Sequence, residues 1–281
     1  MWDKATAERY EAWYATPRGS FALAREQRLM ADIVSPWQRR NHTLLEIGCG
    51  TGHFLEMFYD GGFDVTGIDK SEAMLEKARE RMGFRASLRI GDAAHLPFDD
   101  GEFDYVALVT ALECMEDSRA ALEEVFRVGR RGVVIAYLNA WSFYQMEQHG
   151  GRVWRKCKQV VEKRLAALSG TSPPSPYKRR ALRGSNWFNL FSMWRLIREV
   201  SGKRPSAFRS TLFLPSFWWR GQKPFSSSWG QLAPFGAVSV VRVDLTPVAA
   251  TTTLIRTPKM GQAARASAGA MTMDRYPDKS V

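Results

Sequence analysis

The chain has 281 residues, 45% of them hydrophobic, three cysteines and a formal net charge of +11. That length holds one large domain or a domain with an elaborate lid, and the apolar content excludes global disorder. The basicity is local: residues 152–209 carry 15 Lys/Arg against 2 Asp/Glu, which leaves 25 against 27 for the rest. The polar opening Met1-Trp2-Asp3-Lys4 is unlike a secretory signal, and no apolar run approaches the ~20 residues that span a bilayer. A cytoplasmic protein is therefore expected. Cys49, Cys114 and Cys157 share no metal spacing and read as buried or free thiols in a reducing compartment. The four histidines also lack ligand spacing, so no metal is expected.

Residues 1–42 read as two helices joined at Ala15-Thr16-Pro17-Arg18-Gly19. Tyr10, Trp13 and Tyr14 recur at i, i+3 and i+4 and make one aromatic face. Phe21, Leu23, Leu29, Ile33 and Val34 give the second helix a looser apolar stripe. Arg18 either faces a ligand carboxylate or is solvated. Next comes Leu44-Leu45-Glu46-Ile47-Gly48-Cys49-Gly50-Thr51-Gly52-His53-Phe54, a short apolar strand, three alternate glycines and the start of a helix. Glycine suits such a turn because a Cβ would block positive φ angles and close approach of a ligand. The helix behind it offers free N–H groups and a partial positive charge. Phe63–Ile68 reads as a second strand ending on Asp69, an acid placed to accept hydrogen bonds from ribose hydroxyls.

The remaining core follows the same rhythm. Ser71 is a natural N-cap for a helix over the next turns, and Arg85–Ile90 is a third strand ending in Gly91-Asp92-Ala93. The nearly all-apolar run Phe103–Val109 predicts a central strand covered on both sides. Asp117-Ser118 caps a helix running to about Arg127, and Gly132–Leu138 makes a fifth strand. Strands alternating with helical patterns imply βαβ units and a parallel sheet. Beyond Trp141 an apolar stripe over Val153–Leu168 is flanked by Arg155, Lys156, Lys158 and Lys163. Thr171–Pro176 is an extended break. A second amphipathic helix carries Trp187, Leu190, Phe191, Trp194 and Ile197. Ser206–Leu214 and Ala237–Leu245 look like strands, and residues 246–281 read as a disordered tail.

The glycine loop reads E-x-G-x-G-x-G, unlike the dinucleotide fingerprint G-x-G-x-x-G. In this form, with Asp69 and Asp92 behind it, it resembles the first motif of the class I S-adenosylmethionine-dependent methyltransferases, of the type 11, ubiquinone/menaquinone methyltransferase-like kind. The charge of Glu46 agrees, since a carboxylate suits a sulfonium with a free amino group better than a pyrophosphate. The resemblance implies an α/β, doubly wound, Rossmann-like fold. Its seven-stranded sheet is mostly parallel with an antiparallel last strand, and a helical lid is inserted. It implies S-adenosyl-L-methionine as cofactor, held by Glu46, Gly48, Cys49, Gly50, Gly52, Asp69, Lys70, Met74, Asp92, Ala93 and Thr110, with Leu96 and Phe98 near the adenine. Met74 suits plain core equally. Tyr10 and Tyr14 are expected at the acceptor because the aromatic pattern of residues 10–19 resembles lid segments of small-molecule methyltransferases, and Trp141 because it opens the insert expected to face the acceptor.

The expected layout is lid helices at 1–42, cofactor core at 43–140, a basic aromatic-rich insert at 141–205, closing strands at 206–245 and a tail at 246–281. The expected reaction is methyl transfer to a small-molecule or lipid-like acceptor, with positioning as the main catalytic factor. His53 and His95 are candidate bases, though structural roles suit both. Two other classes stay open. One is nucleic-acid binding or RNA methylation through the basic insert, which also suits the surface of an anionic membrane. The other is NAD-dependent oxidation, disfavoured by Glu46.

Overall fold

The computed structural model describes residues 2–142, 186–212 and 236–247. The apolar stripe of residues 153–168, the Pro-rich break and the tail from residue 248 onward lie outside the described residues, as does the whole of a separate unit at Ala249–Val281.

Two helices, α1 (Lys4–Tyr14) and α2 (Pro17–Ile33), precede the sheet. The break between them is only two residues long, shorter than the composition suggests. The Thr16 hydroxyl accepts the Gly19 N–H at 3.1 Å and Pro17 occupies the first helical turn, so Pro17-Arg18-Gly19 begin α2 instead of linking to it. A Cβ on Gly19 would lie 2.0 Å from the Trp13 carbonyl oxygen, so this glycine lets the two helices meet. The buried face of α2 is Gly19, Ala22, Glu26, Leu29, Met30 and Ile33. Phe21 and Leu23, expected on that face, are only half-buried.

Five parallel strands follow: β1 (Thr43–Ile47), β2 (Asp64–Asp69), β3 (Ala86–Ile90), β4 (Phe103–Val109) and β5 (Gly129–Leu138). They alternate with α3 (His53–Asp60), α4 (Glu72–Met82) and α5 (Ser118–Val128). Beyond the undescribed segment come α6 (Leu190–Ser201), β6 (Ala207–Thr211) and β7 (Val238–Asp244). The seven-stranded sheet has the order β3-β2-β1-β4-β5-β7-β6, with β7 antiparallel to both neighbours.

Every residue of β4 is buried, as a strand covered on both faces must be. One apolar layer joins the sheet to α2, α3 and α4 through Leu29, Leu55, Phe58 and Leu75. The other joins it to α5 and α6 through Leu122, Val125, Met193 and Ile197. Helix α6 therefore belongs to the sheet's own covering layer and not to a lid. Its buried residues are Met193 and Ile197, whereas Phe191 and Trp194, read from the sequence as part of the apolar stripe, are 66% and 40% exposed. Leu96 and Phe98 are likewise core residues, Phe98 packing edge-to-face on Phe103 at 4.9 Å.

The strand order reverses between β1 and β4, and at such a switch point two loops diverge to leave a crevice beyond the carboxyl ends of the strands. That topological fact locates the site.

Candidate functional site

A cavity of about 770 Å³ opens at the switch point, walled by the loops after β1, β2, β3 and β4 and by residues of α1 and α2. The loop after β1 is built on left-handed glycines. Gly48, Gly50 and Gly52 have φ of 68°, 53° and 82°, a region in which a Cβ is strained. The Gly48 and Cys49 N–H groups donate to the Ile68 carbonyl at 2.8 and 3.1 Å, which binds the loop to β2. A Cβ on Gly50 would meet nothing within 4 Å, since that side of the loop faces the cavity. Gly52 lies elsewhere: its Cβ position is 3.4 Å from Ala78, so it serves contact with α4 and is not a wall residue.

Asp69 closes β2 with its carboxylate in the cavity wall. Oδ2 accepts the Gly50 N–H at 2.9 Å and Oδ1 the Ser71 N–H at 2.8 Å, leaving further lone pairs on both oxygens. Burial pushes its pKa up, and these backbone donors only partly offset that. Glu46 is the more extreme case. It is 2% exposed, and its Oε2 has no hydrogen-bond partner although it lines the cavity. Burial, then the charge of Asp69, holds its carboxyl well above the usual range. Burial and the same two carboxylates push the Cys49 thiol up, which argues against a thiolate nucleophile.

Asp92 sits at the open end. Lys70 Nζ donates to its Oδ2 at 2.8 Å and the Ala94 N–H to its Oδ1 at 3.1 Å, so its pKa falls. Ala93, Met74 and Thr110 also line the cavity. Thr110, at the end of β4, has φ of 46°, a strained backbone for a β-branched residue. His95 is an exposed wall residue. Tyr10 and Tyr14 face the cavity from α1 with their hydroxyls 3.0 Å apart. Trp141 does not line it; it is 42% exposed and packs edge-to-face on Phe191 at 5.6 Å. Arg18 is half-buried outside the walls.

Sequence reasoning missed Glu26, Trp2 and a charged latch on α1. Glu26 is 8% exposed and reaches the cavity from the buried face of α2. The available signal was an acid in register with Ala22, Leu29 and Ile33. The latch joins Glu11 to Arg81 at 2.8 Å and to the His53 ring at 3.0 Å, while Arg81 Nε donates to the Thr51 carbonyl at 2.9 Å. It fastens α1 to the glycine loop, and it gives His53 a structural role. Burial raises the Glu11 pKa, but the His53 and Thr51 hydrogen bonds and the Arg81 charge outweigh it and bring it to about 2.

Among the described residues, the walls hold six carboxylates (Glu26, Glu46, Asp69, Asp92, Glu116 and Asp117), one lysine and no arginine. A pyrophosphate-bearing dinucleotide would be repelled there, whereas a cationic ligand is favoured. The unpartnered Glu46 oxygen, the open face of Gly50 and the ribose-competent Asp69 suit S-adenosylmethionine, which carries a sulfonium and an ammonium. Among the described residues no three His, Cys, Asp or Glu side chains are grouped to hold a metal.

Residues 45–137 match a family model described as a methyltransferase domain. The demethylmenaquinone methyltransferase of Staphylococcus aureus (strain MRSA252) is 36% identical over 117 residues, covering 40% of this chain and 47% of that protein. The malonyl-[acyl-carrier protein] O-methyltransferase of Serratia marcescens is 37% identical over 115 residues, 40% of this chain and 43% of that one. The chain thus spans about half the length of the curated relatives it matches. Among solved structures, a methyltransferase from Thermotoga maritima described as a possible histamine N-methyltransferase aligns with a TM-score of 0.57 at 22% identity. That alignment covers 88% of this chain and 100% of that one. The magnesium protoporphyrin IX methyltransferase of Synechocystis PCC 6803, solved with bound S-adenosylhomocysteine, aligns with a TM-score of 0.56 at 11% identity, covering 87% and 96%. At these identities the solved structures speak to the fold alone.

Proposed function

From the premise that this chain carries a class I S-adenosylmethionine-dependent methyltransferase domain, we propose that it transfers a methyl group to a small-molecule or lipid-like acceptor by in-line displacement. The observation that carries this reading is the carboxylate-lined cavity at the switch point, with Glu46 Oε2 buried and unpartnered in its wall. When bound, the cofactor supplies an electrophilic methyl on a sulfonium. In this reading Asp69 accepts from the ribose hydroxyls, Asp92 and Ala93 meet the adenine, and Glu46 meets the ammonium group. Gly48 and Gly50 let the backbone approach, and the strained Thr110 backbone begins the loop against which the acceptor lies. Tyr10 and Tyr14 close the cavity from α1 and exclude water. Aligning an acceptor that is already nucleophilic can supply several of the ~7–11 kcal/mol available from positioning, so the chemistry does not require a dedicated base.

Peripheral contact with an anionic membrane is a further part of the proposal. Its supports are the exposed aromatics Trp141, Phe191 and Trp194 and the basic composition of residues 152–209. Among the described residues no helix is long and apolar enough to cross a membrane.

Isothermal titration calorimetry with S-adenosylmethionine, S-adenosylhomocysteine and NAD tests the cofactor. Incubation of a cell extract with the protein and methyl-labelled cofactor, followed by fractionation, tests the acceptor. Binding of NAD without S-adenosylhomocysteine refutes the cofactor assignment. Label entering only nucleic acid refutes the acceptor class.

A further inference from the structure

The loops after β1, β2 and β3 account for Glu46, Asp69 and Asp92, but not for the wall contributed by α1 and α2. That wall contains three aromatic rings set steeply to one another. Tyr10 and Tyr14 have centroids 4.9 Å apart and planes at 87°, and Trp13 meets Tyr14 at 4.8 Å and 66°. Trp2 adds a further ring at 84° to Tyr10, 6.1 Å away. All four line the cavity, and so does the buried carboxylate of Glu26. After burial, the Glu26 charge is among the causes that hold the Tyr10 and Tyr14 hydroxyls above their usual range.

Aromatic rings and a carboxylate that line one cavity can together receive a positive charge. Each ring face carries negative quadrupole density, and an ammonium within ~6 Å of a centroid is attracted to it. An apolar acceptor such as a quinone would gain from the rings but lose by facing a buried carboxylate. Among the described wall residues, a carboxylate or phosphate acceptor would find Lys70 as the one lysine or arginine, and that side chain is 75% exposed and already paired with Asp92.

We infer that the α1/α2 wall is an acceptor subsite for an organic amine, held as its ammonium by Tyr10, Trp13, Tyr14 and Glu26. This rests on the methyltransferase reading above and narrows its acceptor class. A carboxylate beside the ammonium is also a base to which its proton can pass, freeing the nitrogen lone pair. Glu26 and the rings are thus substrate-binding groups, distinct from those assigned to the cofactor.

The test is a matched pair of probes that differ only in charge: choline and its neutral carbon isostere 3,3-dimethylbutan-1-ol. Each is titrated calorimetrically into full-length protein saturated with S-adenosylhomocysteine. Choline is expected to bind at least tenfold more tightly than the alcohol. In Glu26→Gln that preference should fall to threefold or less while S-adenosylhomocysteine affinity stays within twofold of wild type. Equal binding of the two probes to the loaded wild-type protein overturns the inference, even if Glu26→Gln fails to fold. A preference that survives unchanged in a folded Glu26→Gln and in Tyr10→Leu overturns the residue assignment. Failure of wild type to bind S-adenosylhomocysteine at all refutes the parent reading, and this inference with it.

Discussion

Replacing Glu46 by Gln should move stability and cofactor affinity in opposite directions. The side chain is 2% exposed, one oxygen has no partner, and burial and Asp69 raise its pKa well above normal. Since the folded pKa exceeds the unfolded one, the unfolded chain gives up its proton first as pH rises. The contribution of Glu46 to stability is therefore greatest below the unfolded value near 4.5 and is lost as pH climbs through the folded one. Gln preserves shape and removes that loss. A buried unsatisfied polar group costs about 1–3 kcal/mol; relieving part of it should raise Tm by a few degrees at pH 7–8, at about 2–4 °C per kcal/mol for a domain this size. In the proposed reading the same change deletes a charge-assisted bond to the cofactor ammonium, about 1.5–3 kcal/mol, or roughly ten- to 150-fold in Kd. Thermal melts of the ligand-free protein between pH 5 and 8 and calorimetry with S-adenosylhomocysteine check both halves. A Tm that falls while Kd stays within twofold of wild type would show that Glu46 is a structural acceptor, and the reasoning about the site would be refuted.

Three other substitutions discriminate roles. Asp69→Ala loses a ribose acceptor and also two backbone tethers at 2.9 and 2.8 Å, so Kd should rise at least tenfold and Tm should fall; unchanged affinity in a folded variant counts against the ribose assignment. Gly50→Val puts a branched side chain at φ of 53° into the cavity; calorimetric binding should vanish while the circular dichroism spectrum persists, and normal binding would mean that the loop faces away from the cofactor. Glu11, with its pKa lowered to about 2, stabilises the fold above pH 4.5 and loses that contribution as pH falls towards 2. Glu11→Gln should therefore lower Tm at pH 7 and flatten the acid limb between pH 5 and 3, and identical Tm–pH curves for the two proteins would remove the latch from the account.

The sheet was legible because its strands carry the pattern that burial demands. Phe103–Val109 is apolar except for Asp104 and matches β4 residue for residue, and the turn after β1 needs glycine at Gly48 and Gly50, where φ is positive. Signals failed where burial is not hydrophobic or hydrophobicity is not buried. Glu26 and Gly19 lie on the buried face of α2 yet look like surface residues to a periodicity count. Phe191 and Trp194 dominate the apparent stripe of α6, but Met193 and Ile197 make its contact with the sheet. Gly52 carries the same letter as its loop neighbours, and only the proximity of Ala78 separates a packing role from a cofactor role. Arg81 and Glu11 are seventy positions apart, and no local pattern foretells their pairing.

The titration behaviour of the walls ties these parts together. At the open end Asp92 is satisfied by Lys70 and by the Ala94 N–H, so it is an ordinary ionised carboxylate whatever binds beside it. Further in, Glu46, Asp69, the Cys49 thiol and the Tyr10 and Tyr14 phenols are all shifted towards their neutral forms, in each case chiefly by burial. No lysine or arginine among the described wall residues offsets them there. Such a wall is poised to ionise when a cation arrives, because the charge that makes burial costly alone becomes favourable beside a positive partner. In the proposed reading, affinity for a cationic ligand is coupled to proton release from Glu46, while a neutral ligand of the same shape gains nothing from it. On that reading, selectivity for charge arises from buried carboxylates that no arginine among the described wall residues offsets.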